Sequence, residues 1–390
     1  MMNEWMKTSL INIAKLIGGG TPKTTKPEYW GGDIGWLSVK DFNDENRYVY
    51  STGKTITEEG LNNSSTKLLQ KDDIIISARG TVGELAMIST PMAFNQSCYG
   101  IRAVEGIDST FLYYLIKDKI RMLKAMTHGS VFDTITKETF ANIEVNIPDT
   151  ETQHRIAKIL GQIDDKIEIN QKINNNLFEQ MQALYKAWFV DLIPFDGIKP
   201  TNWYVTNIYA IASIIYGAPF ASKLFNTDGL GKPIVRIRDL KEQALTTFTT
   251  EEHPKGHLIQ PGDIVVGMDG EFRPYLWGND PAWLNQRVCI FKSNRPLGRA
   301  FVFYTIKPLL KKIEQTQVAT TVIHIGKKDF DTFEVVLPDE TTLTNFDSLT
   351  ASMIDNIVKN RLENKRLAVL RDTILPKLMS GELDVFDIDI

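Results

Sequence analysis

The chain has 390 residues, of which 43% are hydrophobic and 24% charged, as expected for a globular protein of two or three domains. It has no apolar run near the roughly 18 residues of a membrane span and no signal-peptide pattern at its start, so we expect neither a membrane protein nor a secreted one. The net charge of −4 gives no support for nucleic-acid binding, although the acidity lies mostly in residues 149–194 and 339–390.

Residues 1–149 form the first predicted segment, a mixed α/β module. Short runs such as Trp36–Val39 and Ile74–Ser77 predict strands, with glycine and asparagine turns between them. Apolar residues at helical spacing predict an amphipathic helix over about Thr110–Met126. A strand-like run, Phe140–Ile147, ends the module.

The second segment, residues 150–194, changes to a heptad pattern. Mostly apolar residues recur seven apart in two rows, one starting at Ile156 and the other at Leu160. Because no proline interrupts the rows, we predict a helix of roughly 35–40 residues, about 50–60 Å long at 1.5 Å per residue.

The same pattern then occurs a second time, 190 residues further along the chain. Asn95-Gln96 recurs as Asn285-Gln286, and the run Leu69–Ile76 is matched by Ile259–Val266. A solenoid repeat has a period of roughly 20–50 residues. The longer period therefore indicates a duplicated module and predicts pseudo-two-fold symmetry.

The second copy has the same two parts, a globular module at residues 195–339 and a helix within residues 340–390. We expect this helix to kink or end at Pro376. The predicted fold class is α+β, with two tandem-duplicated globular α/β modules separated by two long helices. The helices are predicted to pair as an antiparallel coiled coil, with one module at each end of a rigid spacer.

Four asparagines fall in the hydrophobic rows of these helices at matching places: Asn170, Asn174, Asn360 and Asn364. A buried asparagine costs stability, and its best-attested use is to fix register and partner choice. We therefore interpret the four as register-setting residues. The alternative is that the heptad drifts and leaves them facing solvent.

The sequence shows no set of catalytic residues. Its five histidines include no His-Glu-x-x-His motif, and the two cysteines, Cys98 and Cys289, have no metal spacing and favour a reducing cytoplasm. Asp263, Glu271 and Arg273 resemble a nuclease set only weakly, since the first copy lacks it. No Asn-Pro-Pro-aromatic or Asp-Pro-Pro-aromatic methyltransferase motif is present. We expect no catalytic residue, metal site or cofactor site in this chain.

Short motifs open each globular module. The first has Gly19–Pro22 followed by Pro27–Ile34, and the second has Gly217–Phe220 followed by Pro233–Leu240. Both openings resemble those of the DNA-specificity subunits of type I restriction–modification enzymes.

The helical segments carry the same resemblance. The helix entry Gln153–Ala157 is similar to the central helical region of that family, and the tail Leu375–Leu383 to its distal one. The motifs cover essentially the whole chain in the family's order. One departure is that Leu343–Phe346 stands where the second helix should repeat the entry motif.

The resemblance implies that each module is a target recognition domain for one half of a split double-stranded DNA site, while the helices set the gap. It implies two methyltransferase subunits, which bind S-adenosylmethionine and methylate adenine N6. It also implies two motor-nuclease subunits, which use ATP and Mg to translocate and cleave unmodified DNA. This cytoplasmic chain would recognise the DNA sequence and catalyse no reaction. Its partners would supply much of the contact with the phosphates.

Residues that read bases should differ between the two modules. The sharpest difference is between Arg79 and Asp269, each placed before a repeated glycine: arginine suits guanine, and aspartate can accept from cytosine N4. The alternative is a surface charge swap on a turn. Agreement at Asn95-Gln96 and Asn285-Gln286 favours a structural role, and the alternative is base reading, since asparagine and glutamine are also the usual adenine readers. The other candidates are polar residues at turns or strand ends: Lys23, Thr24, Lys26, Lys40, His128 and Ser130 in the first module, and Ser222, Lys223, Arg236, Arg238 and Arg273 in the second.

Two other functions fit part of the sequence. A self-contained nuclease or methyltransferase would need cofactor and carboxylate motifs that the chain lacks, and methyl transfer by the purified chain alone would favour it. A coiled-coil scaffold whose globular ends bind protein or sugar is compatible with the near-neutral modules. Sequence-selective DNA retention by the assembled complex would exclude the scaffold.

Overall fold

The computed structural model describes four stretches of the chain: residues 5–42, 46–126, 134–316 and 324–388. The chain divides into two units. Unit 1 comprises residues 1–168 and 367–390, and unit 2 comprises residues 169–366. Each unit therefore contains one of the duplicated modules and a part of each long helix.

Unit 1 is built on short strands and helices. In its described part the strands are β1 (Met6–Ser9), β2 (Ala14–Gly18), β3 (Trp30–Leu37), β4 (Tyr48–Val49), β5 (Thr55–Ile56), β6 (Leu68–Leu69), β7 (Ile74–Ser77), β8 (Leu85–Ile88), β9 (Met92–Phe94), β10 (Cys98–Ala103) and β11 (Glu144–Ile147). The helices of the module are α1 (Leu10–Ile13), α2 (Glu58–Asn62), α3 (Ser109–Met126) and α4 (Lys137–Asn142).

These strands form a five-stranded sheet in the order β2-β10-β7-β8-β4, a four-stranded sheet in the order β5-β3-β9-β6, and the pair β1-β11. All four residues of β7 are buried, which explains its unbroken apolar run. On α3, Phe111, Leu112 and Leu115 join the same buried cluster as Ile74 and Ile76. The amphipathic helix predicted over about Thr110–Met126 is therefore confirmed.

Two of the predicted strands were too long. The run from Phe140 was predicted as strand, but Phe140 lies in α4 and only Glu144–Ile147 is extended. Thr136 caps the start of this helix, because its hydroxyl accepts from the Thr139 backbone N–H at 3.3 Å, and such a cap favours a helical turn. The predicted strand Trp36–Val39 likewise ends at Leu37.

Unit 2 repeats the plan. Its strands are β12 (Tyr204–Asn207), β13 (Ala212–Tyr216), β14 (Phe225–Asn226), β15 (Lys232–Val235), β16 (Phe248–Thr249), β17 (Leu258–Ile259), β18 (Ile264–Gly267), β19 (Pro274–Leu276), β20 (Ala282–Leu284), β21 (Val288–Ser293) and β22 (Glu334–Leu337). Its module helices are α6 (Arg299–Thr316) and α7 (Lys327–Phe330). The sheets have the orders β13-β21-β18-β19, β14-β16-β15-β20-β17 and β12-β22. The strands and helices from β6 to β11 recur mostly at the predicted offset, which confirms the duplication.

The two long helices are α5 (Thr150–Phe189), of 40 residues, and the last helix, which we number α8 (Glu340–Ser380), of 41 residues. Within unit 2 they run antiparallel. Asn170 donates to Asn364 at 2.8 Å, and Asn360 donates to Asn174 at 2.9 Å, so residue numbers rise along one helix as they fall along the other. Because Asn170 and Asn174 are buried, the solvent-facing alternative is wrong for them. The predicted antiparallel coiled coil is confirmed.

Of the two outcomes predicted at Pro376, the end of the helix is wrong, and the kink stays a prediction. The helix continues to Ser380, and Leu378 in its last turn is buried in the unit 1 core. Proline has no N–H to donate to the carbonyl of Asp372, four residues earlier. Nη1 of Arg121 donates to that carbonyl instead, at 2.6 Å.

Candidate nucleic-acid interface

Several strands of unit 1 end at one common edge. Tyr99 at the start of β10 lies opposite Gly18 at the end of β2, and Cys98 lies opposite Ser77 at the end of β7. The parallel strands β3 and β9 end together, where the Asn95 N–H donates to the Leu37 carbonyl at 2.9 Å. The loops after these strands therefore lie along this edge. We call it the unit 1 rim, comprising residues 19–26, 38–41, 78–83 and 95–97.

Unit 2 has an equivalent edge. Cys289 lies opposite Tyr216 at the end of β13, and Val288 lies opposite Gly267 at the end of β18. The Asn285 N–H donates to the carbonyl of Val235, the last residue of β15, at 3.3 Å. The corresponding loops form the unit 2 rim, comprising residues 217–223, 236–239, 268–273 and 285–287.

A glycine packs against the repeated asparagine in each rim. A Cβ on Gly19 would lie 2.1 Å from the Asn95 carbonyl oxygen, and one on Gly217 would lie 2.0 Å from that of Asn285. No other residue fits so close to the backbone. These close backbone contacts hold the strand-end loops of both rims together. A structural role for the side chains of the Asn-Gln pairs stays a prediction.

In unit 1, most of the candidate base readers lie on the rim. Lys23, Thr24, Lys40 and Arg79 are exposed there. The Nζ of Lys26 donates to the Tyr29 hydroxyl at 3.1 Å, and this hydrogen bond raises the pKa of Lys26. The remaining two candidates, His128 and Ser130, lie outside the described residues.

In unit 2 the candidates fall into two groups. Ser222, Lys223, Arg238 and Arg273 are exposed, and the Arg273 Nε lies 3.4 Å from Glu271. Arg236 is different, because its guanidinium bonds inside the unit. It donates to Asp239 at 3.0 Å and to Thr247 at 2.5 Å.

Asp269 has two partners that the sequence did not suggest. Its Oδ1 lies 2.6 Å from the His324 Nδ1 and 3.6 Å from the Arg287 Nη1. At the offset of 190, the unit 1 residues in place of Asp269 and Arg287 are Arg79 and Ser97. The two rims therefore differ in charge at more than one position. The only sequence signal for Arg287 is that it follows the repeated Asn-Gln pair.

Neither a metal-ligand group nor a membrane-spanning helix is found among the side chains and helices of residues 5–42, 46–126, 134–316 and 324–388. Among them, no group of three or more histidine, cysteine, aspartate or glutamate side chains is placed to hold a metal ion. In the same stretches, no helix is both long and apolar enough to cross a membrane.

The chain matches the model of one protein family twice. Residues 2–179 and 200–371 both match the type I restriction modification DNA specificity domain. The chain belongs to this family. The resemblance noted in the sequence is thereby confirmed.

Curated relatives carry names that agree with this family. The MjaIX specificity subunit of a type I restriction enzyme from Methanocaldococcus jannaschii is 28% identical over 98% of this chain and 94% of the relative. The HindI specificity subunit from Haemophilus influenzae is 22% identical over 66% of this chain and 73% of the relative.

A solved structure supports the fold. The S subunit of a type I restriction–modification system from M. genitalium matches with a TM-score of 0.57 at 18% identity. The match covers 97% of this chain and 96% of that one. The predicted fold class is therefore confirmed.

Proposed function

We propose that this chain gives a type I restriction–modification complex its DNA sequence specificity, with each rim reading one half of a bipartite duplex site. One observation carries the proposal. The two rims are built on the same strand ends and the same Gly–Asn contact, yet Arg79 and Ser97 in one are replaced by Asp269 and Arg287 in the other. Two recognition domains that bind different half-sites require the same backbone arrangement with different polar side chains on it.

The long helices have a separate role in this proposal. Both α5 and α8 contribute residues to each unit, and they pair antiparallel in unit 2 through Asn170–Asn364 and Asn174–Asn360. We propose that their length sets the gap between the half-sites. They also carry the surfaces that dock the methyltransferase subunits.

The reactions belong to the partners. Two methyltransferase subunits bind S-adenosylmethionine and methylate adenine N6, one in each half-site. Two motor-nuclease subunits use ATP and Mg to cleave unmodified DNA. This chain performs no catalysis of its own, and its lack of methyltransferase and metal-binding motifs supports that division of labour.

A methylation map of the source cell tests the proposal. N6-methyladenine is mapped across the genome with the chain present, deleted and restored. We expect a two-part motif, with a methylated adenine in each half, that disappears on deletion and returns on restoration. An unchanged map after deletion would refute the proposal. Methyl transfer by the purified chain alone would refute its non-catalytic part.

A further inference from the structure

The two rims contain the same one-turn motif, which the offset of 190 residues does not align. In unit 1 it follows β3 and spans Ser38–Asp41, and in unit 2 it follows β15 and spans Arg236–Asp239. In each, the last residue's carboxylate accepts from the backbone N–H of the first, at 2.7 Å for Asp41 and 3.0 Å for Asp239. Each turn is therefore closed by its own aspartate.

The second residue of each turn packs against a buried cluster of its own unit and anchors the turn there. Val39 packs against the buried cluster that contains Leu37 and Phe94. Ile237 packs in the same way against the cluster that contains Val235 and Leu284. An apolar anchor on the inner side and a carboxylate closing the turn hold the backbone in one conformation.

The third residue is a cation in both turns and points to solvent. Lys40 is exposed, and the Arg238 side chain is 70% exposed. The Nε of Arg238 lies 4.0 Å from the nearest oxygen of Asp239, which is too long for a hydrogen bond. The two rims therefore present a positive charge at the same structural position.

The identity of these cations indicates what they contact. Residues that read bases should diverge when two modules read different half-sites, whereas the phosphate backbone is the same under both. Lysine and arginine are not interchangeable in a bidentate contact to guanine, but either neutralises a phosphate. A positive charge kept at a shared position while Lys is exchanged for Arg is what a contact to phosphate permits.

We propose that Lys40 and Arg238 are equivalent phosphate contacts, one on each half-site, which position the rims on the duplex without reading a base. This inference rests on the proposed function and assigns these two residues a different role from Arg79. Each contact should contribute about 0.9 to the slope of log K against log salt concentration on B-form DNA.

The test uses the full chain in complex with its methyltransferase partner, on its bipartite duplex and on a scrambled duplex. We expect Lys40→Ala and Arg238→Ala each to reduce the salt slope by about one and weaken binding roughly fivefold near 0.15 M salt, equally on both duplexes. Combining the two should reduce the slope by about two. Lys40→Arg and Arg238→Lys should restore the wild-type slope.

Lysines at the opposite ends of the strands provide matched controls. Lys15 in β2 and Lys292 in β21 are exposed and lie away from the rim ends of their strands. Lys15→Ala and Lys292→Ala should leave the slope unchanged. An unchanged slope in Lys40→Ala and Arg238→Ala, or the loss of preference at a single base position, would overturn the inference. A wild-type complex that does not select DNA by sequence would instead overturn the proposed function itself.

Discussion

Asp164 of α5, which is buried, and Arg371 of α8, which is partly buried, form an ion pair in unit 1, with Nη1 2.6 Å from Oδ1. The Tyr114 hydroxyl donates to the other carboxylate oxygen at 2.5 Å. Burial alone would lower the pKa of Arg371, but Asp164 and Asp372 raise it above its ordinary value, so the guanidinium stays charged. At the offset of 190 the unit 2 residues are Ile354 and Met181, both buried in an apolar core. Unit 1 therefore has an ion pair at the position where unit 2 has two apolar side chains.

This difference predicts the effect of substitutions at the pair. Arg371→Met should destabilise unit 1 by about 3–5 kcal/mol because it leaves the Asp164 carboxylate buried without its cation. The double variant Asp164→Ile with Arg371→Met reproduces the unit 2 pair and should recover most of that loss. Urea unfolding followed by circular dichroism measures both. A single variant as stable as wild type, or a double variant no better than the single, would contradict the prediction.

The asparagines of the helix pair are predicted to lower the stability of the helices while they fix the register. Replacing Asn170, Asn174, Asn360 and Asn364 by leucine should raise the melting temperature, because it removes polar groups from the seam, and should loosen the choice of register. Thermal unfolding and the stoichiometry of the assembled complex measure the two effects. Asn175, exposed on α5, gives the control Asn175→Leu. The same melting temperature with unchanged assembly would show that the seam asparagines have no such role.

Arg79 is predicted to read a base. Arg79→Ala should cost roughly 1–3 kcal/mol on the cognate site and relax one position of the first half-site. The measurement is a randomised-site binding selection with the assembled complex. Equal weakening on every sequence, or an intact preference in the first half-site, would rule out base reading by Arg79.

The two cysteines are predicted to be unreactive in the folded chain. Both are buried, and burial raises the pKa of Cys98 to about 12 and the pKa of Cys289 above its ordinary value. At pH 8 both thiols therefore stay protonated and shielded, whereas an unfolded cysteine is partly ionised. Mass spectrometry after iodoacetamide treatment should find both cysteines unmodified until the chain is unfolded. Rapid alkylation of the native chain would contradict this.

The architecture could be predicted from the sequence because its signals are periodic. The heptads predicted α5 and α8, the repeated Asn-Gln pair marked the duplication, and apolar spacing predicted α3. Features decided by distant residues could not be predicted. Near Pro376, for example, the sequence could not show that Arg121, far away in the chain, donates to the carbonyl of Asp372.

At the candidate site, too, contacts between residues that are distant in the sequence could not be predicted. The sequence placed Arg236 and Asp269 among the base readers, but it could not show that Arg236 bonds to Thr247 or that Asp269 lies beside His324. The equivalence of Lys40 and Arg238 was also hidden. The connection from β3 to β6 in unit 1 is longer than the equivalent connection from β15 to β17 in unit 2. A single offset therefore does not align both the turns and the later strands.

In the proposed function, the two rims read two half-sites at a separation that the paired helices set. Half-site centres one helical turn apart lie about 34–36 Å from each other on one face of the duplex. One heptad inserted after Glu168 and another after Arg366 would lengthen both helices at the boundaries between the units. Randomised-site selection with the wild-type and inserted complexes is the most direct measurement. We predict two half-sites with a fixed gap for the wild type, and a longer gap or no binding for the insertion. The same gap in both complexes would show that the helices do not set the separation of the half-sites.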